Sequence, residues 1–208
     1  MTTNQDTVKA YDATAAEYAA EAAITPLWVA QEMDAFVARL RGTGRVLEIG
    51  SGGGRDALEF EKRGIKLRPT DVSKGFVDLL RANGLEADLL DPLTDDLTDP
   101  HDPFTLYDGI WACASLIHVA RQDFGTVVAR LASATRQAGP LHLSVRDGDG
   151  EEMSTHGRAD QPRHYVETYW REPALRSAVS DAGWRVSEIR HYTGRPGDHW
   201  LSVRAIRA

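Results

Sequence analysis

With 208 residues, 42% of them apolar and 26% charged, the chain has the length and composition of one domain with a substantial core. Its net charge of −7 argues against a general nucleic-acid binder, no apolar run approaches the ~20 residues that span a bilayer, and its start lacks a signal region. Cys113 is the single cysteine, so no intrachain disulfide can form and we expect a cytoplasmic protein.

The first predicted elements are helices. Residues 7–41 have a helical pattern, with Tyr11 and Tyr18 at helical spacing, and a second helical segment begins at Pro26, a residue suited to the first turn. We expect residues 1–42 to form a helical cap.

Beyond this cap, strand-like and helix-like segments alternate. The predicted strands are 45–49, 66–70, 85–89, 106–111, 141–145, 184–191 and 199–206. The predicted helices are 56–63, 73–82, 123–136 and 173–182. This alternation predicts an α/β fold with a mostly parallel sheet covered by helices on both faces. The link between the last two strands is too short for a crossover helix, so they are expected to form an antiparallel hairpin.

The most informative stretch is residues 46–56, where an apolar run breaks into four glycines within five positions. It predicts a buried strand, a tight turn and the start of a helix, with backbone alone facing a ligand. Asp71 ends the next apolar segment, 21 residues after Gly50. An acid at about 20 residues beyond such a turn is suited to the paired hydroxyls of a ribose. The sequence therefore predicts an adenosine-containing cofactor.

Two cofactors fit this turn. A dinucleotide would favour glycines spaced G-x-G-x-x-G, but Arg55 occupies the position of the third glycine, and Glu48 precedes the turn. Both departures favour S-adenosylmethionine, whose amino-acid carboxylate would suit the backbone N–H groups at the start of the helix near Arg55.

Four ordered segments resemble the class I S-adenosylmethionine-dependent methyltransferases, in particular their small bacterial members. Residues 48–54 resemble the first motif of that family, and residues 71–73 are similar to its acid at the end of the second strand. Residues 87–90 resemble the segment beside the adenine, and residues 107–119 resemble the fourth-strand motif. The likeness covers about residues 7–208 and is specific for the class, but not for the substrate.

This resemblance implies a Rossmann-like, mostly parallel, seven-stranded sheet with an antiparallel last strand. It also implies that Asp71 binds the ribose and that Asp88 accepts a hydrogen bond from the adenine amine. The full set of expected cofactor-binding residues is Glu48, Gly50, Ser51, Gly52, Gly54, Arg55, Asp56, Asp71, Val72, Ser73, Asp88, Leu89, Ala112 and Cys113.

Methyl transfer from a sulfonium needs mainly the alignment of a nucleophile, and a base helps when the acceptor carries a proton. His118 is the candidate base, because it follows the fourth strand where open sheets form their cleft. The alternative is a histidine that packs against the cofactor without moving a proton. Cys113 is interpreted as a small residue packed beside the cofactor rather than as a nucleophile.

Residues 146–172 are predicted to form a long loop that closes over the acceptor, because their aromatic and basic side chains argue against disorder. The expected substrate-contacting residues are Tyr11, Tyr18, Arg146, His156, Arg163, Tyr165 and Tyr169. As alternatives, the loop residues decorate the surface, and the two N-terminal tyrosines form only the buried stripe of their helix.

These patterns predict one methyltransferase domain. Its expected parts are a cap (1–42), a cofactor-binding core (43–145), a substrate loop (146–172) and a C-terminal helix with a β-hairpin (173–208). The expected function is methylation of a nitrogen or oxygen atom of a small molecule, with no nucleic acid, membrane or metal involved. A nicotinamide-dependent oxidoreductase and a non-catalytic cofactor-binding protein are the alternatives.

Overall fold

The computed structural model of the protein describes residues 5–40, 44–158, 161–194 and 197–208, with the side chains of 156–158 and 161–163 outside the description. The helices are α1 (Gln5–Asp12), α2 (Ala15–Glu21), α3 (Leu27–Val37), α4 (Arg55–Lys62), α5 (Lys74–Ala82), α6 (Arg121–Ala134) and α7 (Glu172–Asp181), with a 3-10 turn at Leu116–His118. The strands are β1 (Arg45–Ile49), β2 (Lys66–Asp71), β3 (Asp88–Leu89), β4 (Gly109–Ala112), β5 (Pro140–Asp147), β6 (Glu151–Arg158), β7 (Gln161–Trp170), β8 (Trp184–Thr193) and β9 (His199–Arg207).

A mostly parallel sheet forms the centre of the fold, as the alternating pattern predicts. Strands β3, β2, β1, β4 and β5 lie side by side in that order and are parallel. Strand β9 pairs antiparallel with β5, and β8 pairs antiparallel with β9, which confirms the predicted C-terminal hairpin. Strand β4 is buried along its whole length, as expected where helices cover both faces of a parallel sheet.

Within the described residues, the sheet has nine strands rather than the predicted seven, and most of the predicted loop 146–172 is β-strand. They contain the end of β5 and an antiparallel hairpin formed by β6 and β7. Strand β7 pairs with the end of β5, where Arg146 lies opposite Tyr169. The sequence of β6 shows no apolar alternation, because this strand gains its order from backbone pairing with β7 rather than from a buried face. Backbone pairing of this kind leaves no hydrophobic pattern in the sequence by which the strand could be predicted.

The N-terminal cap consists of three helices, and the first two pack over the carboxyl ends of the central strands. The Asp12 carboxylate accepts hydrogen bonds from the Ser73 hydroxyl at 2.7 Å and from the Gly75 N–H at 2.9 Å, both at the start of α5. Helix α2 lies against the glycine turn so closely that a Cβ on Gly53 would come within 2.5 Å of the Ala19 Cβ. The cap therefore covers the turn and the start of α5.

A buried ion pair fastens α3 to the last two strands. Glu32 is almost fully buried and accepts hydrogen bonds from the Arg204 guanidinium at 2.6 and 3.0 Å and from the Tyr192 hydroxyl at 2.7 Å. Burial opposes the charge of Glu32, but these hydrogen bonds hold its pKa below the ordinary value. Within the described residues, no helix is both long and apolar enough to cross a bilayer.

Candidate active site

The glycine turn brings backbone, rather than side chains, to the carboxyl end of β1. Gly50 has a φ of +72°, and a Cβ there would lie 2.3 Å from the Ser115 Cβ, so only glycine fits without displacing its neighbour. The N–H groups of Gly50 and Ser51 both donate to the Thr70 carbonyl at 2.9 Å, which fixes the turn on the end of β2. The turn ends at Gly54, and α4 begins at the next residue.

Asp71 is held beside this turn by backbone donors. One carboxylate oxygen accepts from the Ser73 N–H at 2.8 Å, and the other accepts from the Gly52 N–H at 2.9 Å. Burial raises the pKa of Asp71 to about 6, although these N–H groups favour the charged form. An ionised carboxylate has about four acceptor sites, so Asp71 keeps capacity to accept from a neighbouring hydroxyl, as ribose binding requires.

A cavity of about 90 Å³, the cofactor cavity, opens between the turn, Asp71 and the cap. Four predicted cofactor-binding residues line it: Gly50, Gly52, Asp71 and Val72. The same cavity is lined by Tyr11 and Tyr18 from the cap, and by residues 114–116 and His118, which follow β4. The structure therefore brings the first two predicted motifs and the candidate base together.

Several other predicted cofactor-binding residues support this cavity without lining it. Ser73 caps α5 by accepting from the Phe76 N–H, Ser51 donates to Glu48 at 2.6 Å, and Asp56 accepts from the Trp111 indole at 2.8 Å. Burial, together with nearby Asp56, raises the pKa of Glu48. The remaining supporting residues are Gly54, which precedes α4, and Ala112, which is buried in the sheet.

Asp88 and Leu89 do not line the cofactor cavity, and their expected contact with the adenine stays a prediction. The Asp88 carboxylate accepts from the Arg68 guanidinium at 2.7 Å, and Leu89 is exposed. Arg68 also donates to the Tyr107 hydroxyl at 2.7 Å, so Asp88 is part of a hydrogen-bond network that runs across the sheet. Leu90, the next residue along, lines the cavity instead. A sequence motif does not show which partner an acid will meet across the sheet.

His118 is fixed by hydrogen bonds on both ring nitrogens. Its Nδ1 lies 2.7 Å from the Val166 carbonyl oxygen, which can only accept, so Nδ1 carries the proton. In this neutral tautomer Nε2 is an acceptor, and it receives the Tyr11 hydroxyl at 2.9 Å. The candidate base therefore reaches the rest of the site through Tyr11.

A cluster of aromatic rings surrounds Tyr11. Its ring centroid lies 4.8 Å from that of Tyr165, 5.3 Å from His118, 5.4 Å from Tyr18 and 5.5 Å from Phe76. The two cap tyrosines thus reach the cleft, rather than forming only a stripe inside the cap. Burial raises the pKa of Tyr11, so this phenol stays protonated at neutral pH.

A second cavity of about 630 Å³, the acceptor cavity, adjoins the cofactor cavity, and Tyr11, Tyr18 and Ala114 line both. Arg55 and Cys113, predicted to bind the cofactor, line this second cavity. Burial raises the pKa of the Cys113 thiol, which keeps it protonated and suits the packing role.

The predicted acceptor residues of segment 146–172 fall into three groups. Arg146 and Tyr165 line the acceptor cavity, and the Arg146 guanidinium stacks on the Trp200 ring at 4.2 Å while pairing with Asp198 at 2.7 Å. Tyr169 does not line it, and its hydroxyl donates to the Glu167 carboxylate at 3.0 Å. The other two, His156 and Arg163, have side chains outside the described residues.

Several cavity residues were not identified from the sequence. Glu167, buried on β7, and the indoles of Trp28 and Trp200 line the acceptor cavity. Ala114 lies at the shared wall with a φ of +54°, an unusual backbone conformation held by its N–H donation to the Ser144 hydroxyl at 2.8 Å. No sequence pattern in β7 distinguishes Glu167, and Trp28 and Trp200 come together only through the fold. In the described part of the chain, no three acidic, histidine or cysteine side chains are grouped as metal ligands would be.

The family model of the methyltransferase domain matches residues 46–139, from β1 to the residue before β5. This segment contains the glycine turn, Asp71 and His118. No protein of curated function matches the sequence.

Solved structures with the same fold cover nearly the whole chain. The Burkholderia thailandensis 1,6-didemethyltoxoflavin-N1-methyltransferase, with bound 1,6-didemethyltoxoflavin and S-adenosylhomocysteine, is 22% identical over 98% of this chain and 86% of its own, with a TM-score of 0.70. The DhpI–S-adenosylhomocysteine complex is 20% identical over 97% and 96%, with a TM-score of 0.68. The [4+2]-cyclase SpnF is 14% identical over 100% and 97%, with a TM-score of 0.70. At these identities the structural likeness shows the fold alone.

Proposed function

We propose that the chain is a class I S-adenosylmethionine-dependent methyltransferase that methylates a nitrogen or oxygen atom of a small, flat molecule, in keeping with the methyltransferase-domain model that matches residues 46–139. The proposed cofactor is S-adenosylmethionine, because two structures of the same fold hold S-adenosylhomocysteine. When bound, this cofactor supplies an electrophilic methyl group on a positively charged sulfur. The residues of the protein therefore have to bind, align and deprotonate the acceptor rather than activate the donor.

The observation that carries the proposal is the wall common to the two cavities. Tyr11, Tyr18 and Ala114 line both, so an acceptor in the larger cavity lies directly beside the cofactor. A volume of about 630 Å³ is typical of small-molecule sites, which are concave and largely apolar with a few polar groups.

Aromatic walls favour a flat acceptor. The Trp28 ring stacks on Tyr192, with centroids 4.9 Å apart and planes 22° apart, and the Trp200 ring lies 6.3 Å from Trp28. Both indoles line the acceptor cavity. Aromatic faces of this kind bind planar apolar groups with a preference for stacking. The Burkholderia thailandensis enzyme, which has 1,6-didemethyltoxoflavin and S-adenosylhomocysteine bound, supports the same kind of acceptor here.

Each part of the chain then has a proposed role. The glycine turn and Asp71 bind the cofactor, the helical cap covers it, and the β6–β7 hairpin with Thr193, Gly194 and Asp198 encloses the acceptor. We keep residues 1–208 as one domain, and a cytoplasmic location, as predictions from the sequence.

The test is a search for the acceptor with S-adenosylmethionine as methyl donor. Aromatic amines, phenols and nitrogen heterocycles are offered alongside mixed peptides and duplex DNA, and S-adenosylhomocysteine and methylated product are quantified by mass spectrometry. We expect turnover of a flat small molecule and none of peptide or DNA. Methylation of peptide or DNA alone would contradict the proposal, and so would cofactor binding without any methyl transfer.

A matched pair of variants locates the acceptor. Trp28→Ala removes a stacking face from the acceptor cavity and is expected to raise the acceptor KM about tenfold with unchanged S-adenosylhomocysteine affinity. Leu27→Ala, at the neighbouring and largely exposed position of α3, is expected to change neither quantity. Equal KM values for the two variants would place the acceptor elsewhere.

The two alternative functions differ in what supports them. A nicotinamide-dependent oxidoreductase has no support from the family model, which describes a methyltransferase domain. The likeness to the cyclase SpnF shows that this fold also carries other chemistry, and the acceptor search above distinguishes methyl transfer from it.

A further inference from the structure

Resting on the proposed function, we propose that Tyr11 is the catalytic residue that takes the acceptor's proton and passes its own proton to His118. The Tyr11 hydroxyl lies 2.9 Å from His118 Nε2, and Tyr11 lines the acceptor cavity. His118 lines the cofactor cavity but is not among the residues around the acceptor cavity. An acceptor in the larger cavity therefore meets the phenol before the imidazole.

The direction of the relay follows from the partner of the second nitrogen. Because the Val166 carbonyl can only accept, it holds the His118 proton on Nδ1 and leaves the Nε2 lone pair directed at Tyr11. The proton received at Nε2 creates an imidazolium whose Nδ1–H keeps its bond to Val166. Fixing the tautomer through the second nitrogen is a general way to prepare a histidine for proton transfer.

Val166 positions both members of the pair. Its N–H donates to the Thr7 hydroxyl at 3.0 Å, while its carbonyl receives His118 at 2.7 Å. Thr7 precedes Tyr11 by four residues in α1, so both side chains lie on one face of that helix. One residue of the β6–β7 hairpin thus holds the helix that carries the phenol and the imidazole that receives its proton. Hydrogen bonds thus link Thr7, Val166, His118 and Tyr11 in turn, and helix α1 connects Tyr11 back to Thr7.

The surroundings keep Tyr11 as a neutral phenol, which can relay a proton but is a poor base alone. Burial, with Tyr18, Tyr165, Glu167 and Asp71 nearby, raises its pKa. Because the Tyr11 proton moves to His118 while the acceptor's proton moves to Tyr11, no buried phenolate has to form.

Methyl transfer is accompanied by two proton transfers. The acceptor's nitrogen or oxygen forms its bond to the methyl carbon while the sulfur keeps the electron pair of the broken bond. The acceptor's proton moves to the Tyr11 oxygen, and the original Tyr11 proton moves to His118 Nε2. The imidazolium later loses its proton to solvent, which restores the pair.

The first arm of the test needs no acceptor. Nitrogen-15 NMR of ring-labelled histidine, recorded with and without S-adenosylhomocysteine, reports the protonation of each ring nitrogen of His118. The His118 signals are assigned as those that disappear in His118→Asn. At pH 8 we expect a protonated Nδ1 and a hydrogen-bonded, unprotonated Nε2 whose signal shifts in Tyr11→Phe. The opposite tautomer, or an Nε2 signal unmoved by Tyr11→Phe, overturns the relay.

The second arm separates proton transfer from packing. The acceptor probes are 2-naphthol, which must lose a proton, and 2-naphthalenethiol, which reacts as a thiolate. In Tyr11→Phe we expect kcat to fall about 100-fold or more for the naphthol and less than about tenfold for the thiol, with S-adenosylhomocysteine affinity retained. The matched control is Tyr18→Phe, which lines both cavities and should affect the two probes equally.

Equal losses for both probes in Tyr11→Phe would assign Tyr11 a packing role and overturn the relay. Methylation of neither probe by the unmodified protein would count against the proposed function, and the NMR arm would then decide on the pair by itself.

Discussion

Lowering the pH from 7 to 5 is expected to weaken S-adenosylhomocysteine binding about tenfold, because Asp71 becomes protonated in this interval. Burial raises the pKa of Asp71 from 3.8 to about 6. The ionised fraction then falls from about 0.9 at pH 7 to about 0.1 at pH 5, and the binding constant follows it if only the carboxylate accepts from the ribose hydroxyls. Affinity should level off above about pH 7, where ionisation is nearly complete.

The same group has the opposite effect on the stability of the free protein. Because the folded state holds the Asp71 proton more tightly than the unfolded state, its contribution is fully present below pH 3.8 and is lost as the pH rises through about 6. The difference between 3.8 and about 6 corresponds to about 3 kcal/mol. The pH range in which the ionised Asp71 is expected to bind the cofactor best, above about pH 7, is therefore the range in which this group lowers the stability of the free protein most.

Isothermal calorimetry at pH 5, 6, 7 and 8 measures the binding effect. Asp71→Asn is expected to bind at least about tenfold more weakly at pH 7 and to lose the pH dependence, since hydrogen bonds to a charged acceptor contribute about 1.5–3 kcal/mol. Asp78→Asn, at an exposed acid of α5 paired with Lys74, should keep the wild-type profile. Equal affinity at pH 5 and 7, or a tenfold pH effect that persists in Asp71→Asn, would refute this account.

Three further substitutions test the glycine turn, the helical cap and the buried ion pair between Glu32 and Arg204. Gly50→Ala places a Cβ 2.3 Å from the Ser115 Cβ, so we expect S-adenosylhomocysteine affinity to drop more than about tenfold, measured by calorimetry. Asp12→Ala removes the two hydrogen bonds between α1 and α5, and should speed amide hydrogen exchange in the cap and ligand dissociation. Arg204→Met removes the guanidinium that donates to the buried Glu32 carboxylate and leaves only longer ion pairs, such as that with Arg190 at 3.7 Å, so it should destabilise the fold by about 3 kcal/mol in urea denaturation at pH 7.

Each of these substitutions has a control in the chain. Gly84→Ala also sits at a positive φ, +85°, but meets nothing within 4 Å, so it should retain cofactor affinity. Asp6→Ala removes an exposed pair with Lys9 and should change cap exchange much less than Asp12→Ala does. Arg176→Met breaks an exposed pair and should cost less than about 1 kcal/mol. Equal effects in a variant and its control would contradict the assigned contact.

The sequence alone determined the features that depend on neighbours along the chain. The apolar run of β1, the glycines after it and the acid ending β2 are local patterns, and the structure places Asp71 2.9 Å from the Gly52 N–H. The alternation of segments and the short final link determined the mostly parallel sheet and its antiparallel end. Strand and helix periods are properties of a few consecutive residues, so they can be recognised before folding is known.

Tertiary structure alone decided which distant side chains meet. Tyr11 and His118 are 107 positions apart, and His118 lies 48 positions from Val166, so no spacing rule relates them. The β6–β7 hairpin gained its order from backbone pairing, and Asp88 pairs with Arg68 on the neighbouring strand. Such contacts depend on how elements pack and on which partner satisfies a charge. The candidate proton path is therefore a product of the fold, whereas the cofactor turn is encoded locally.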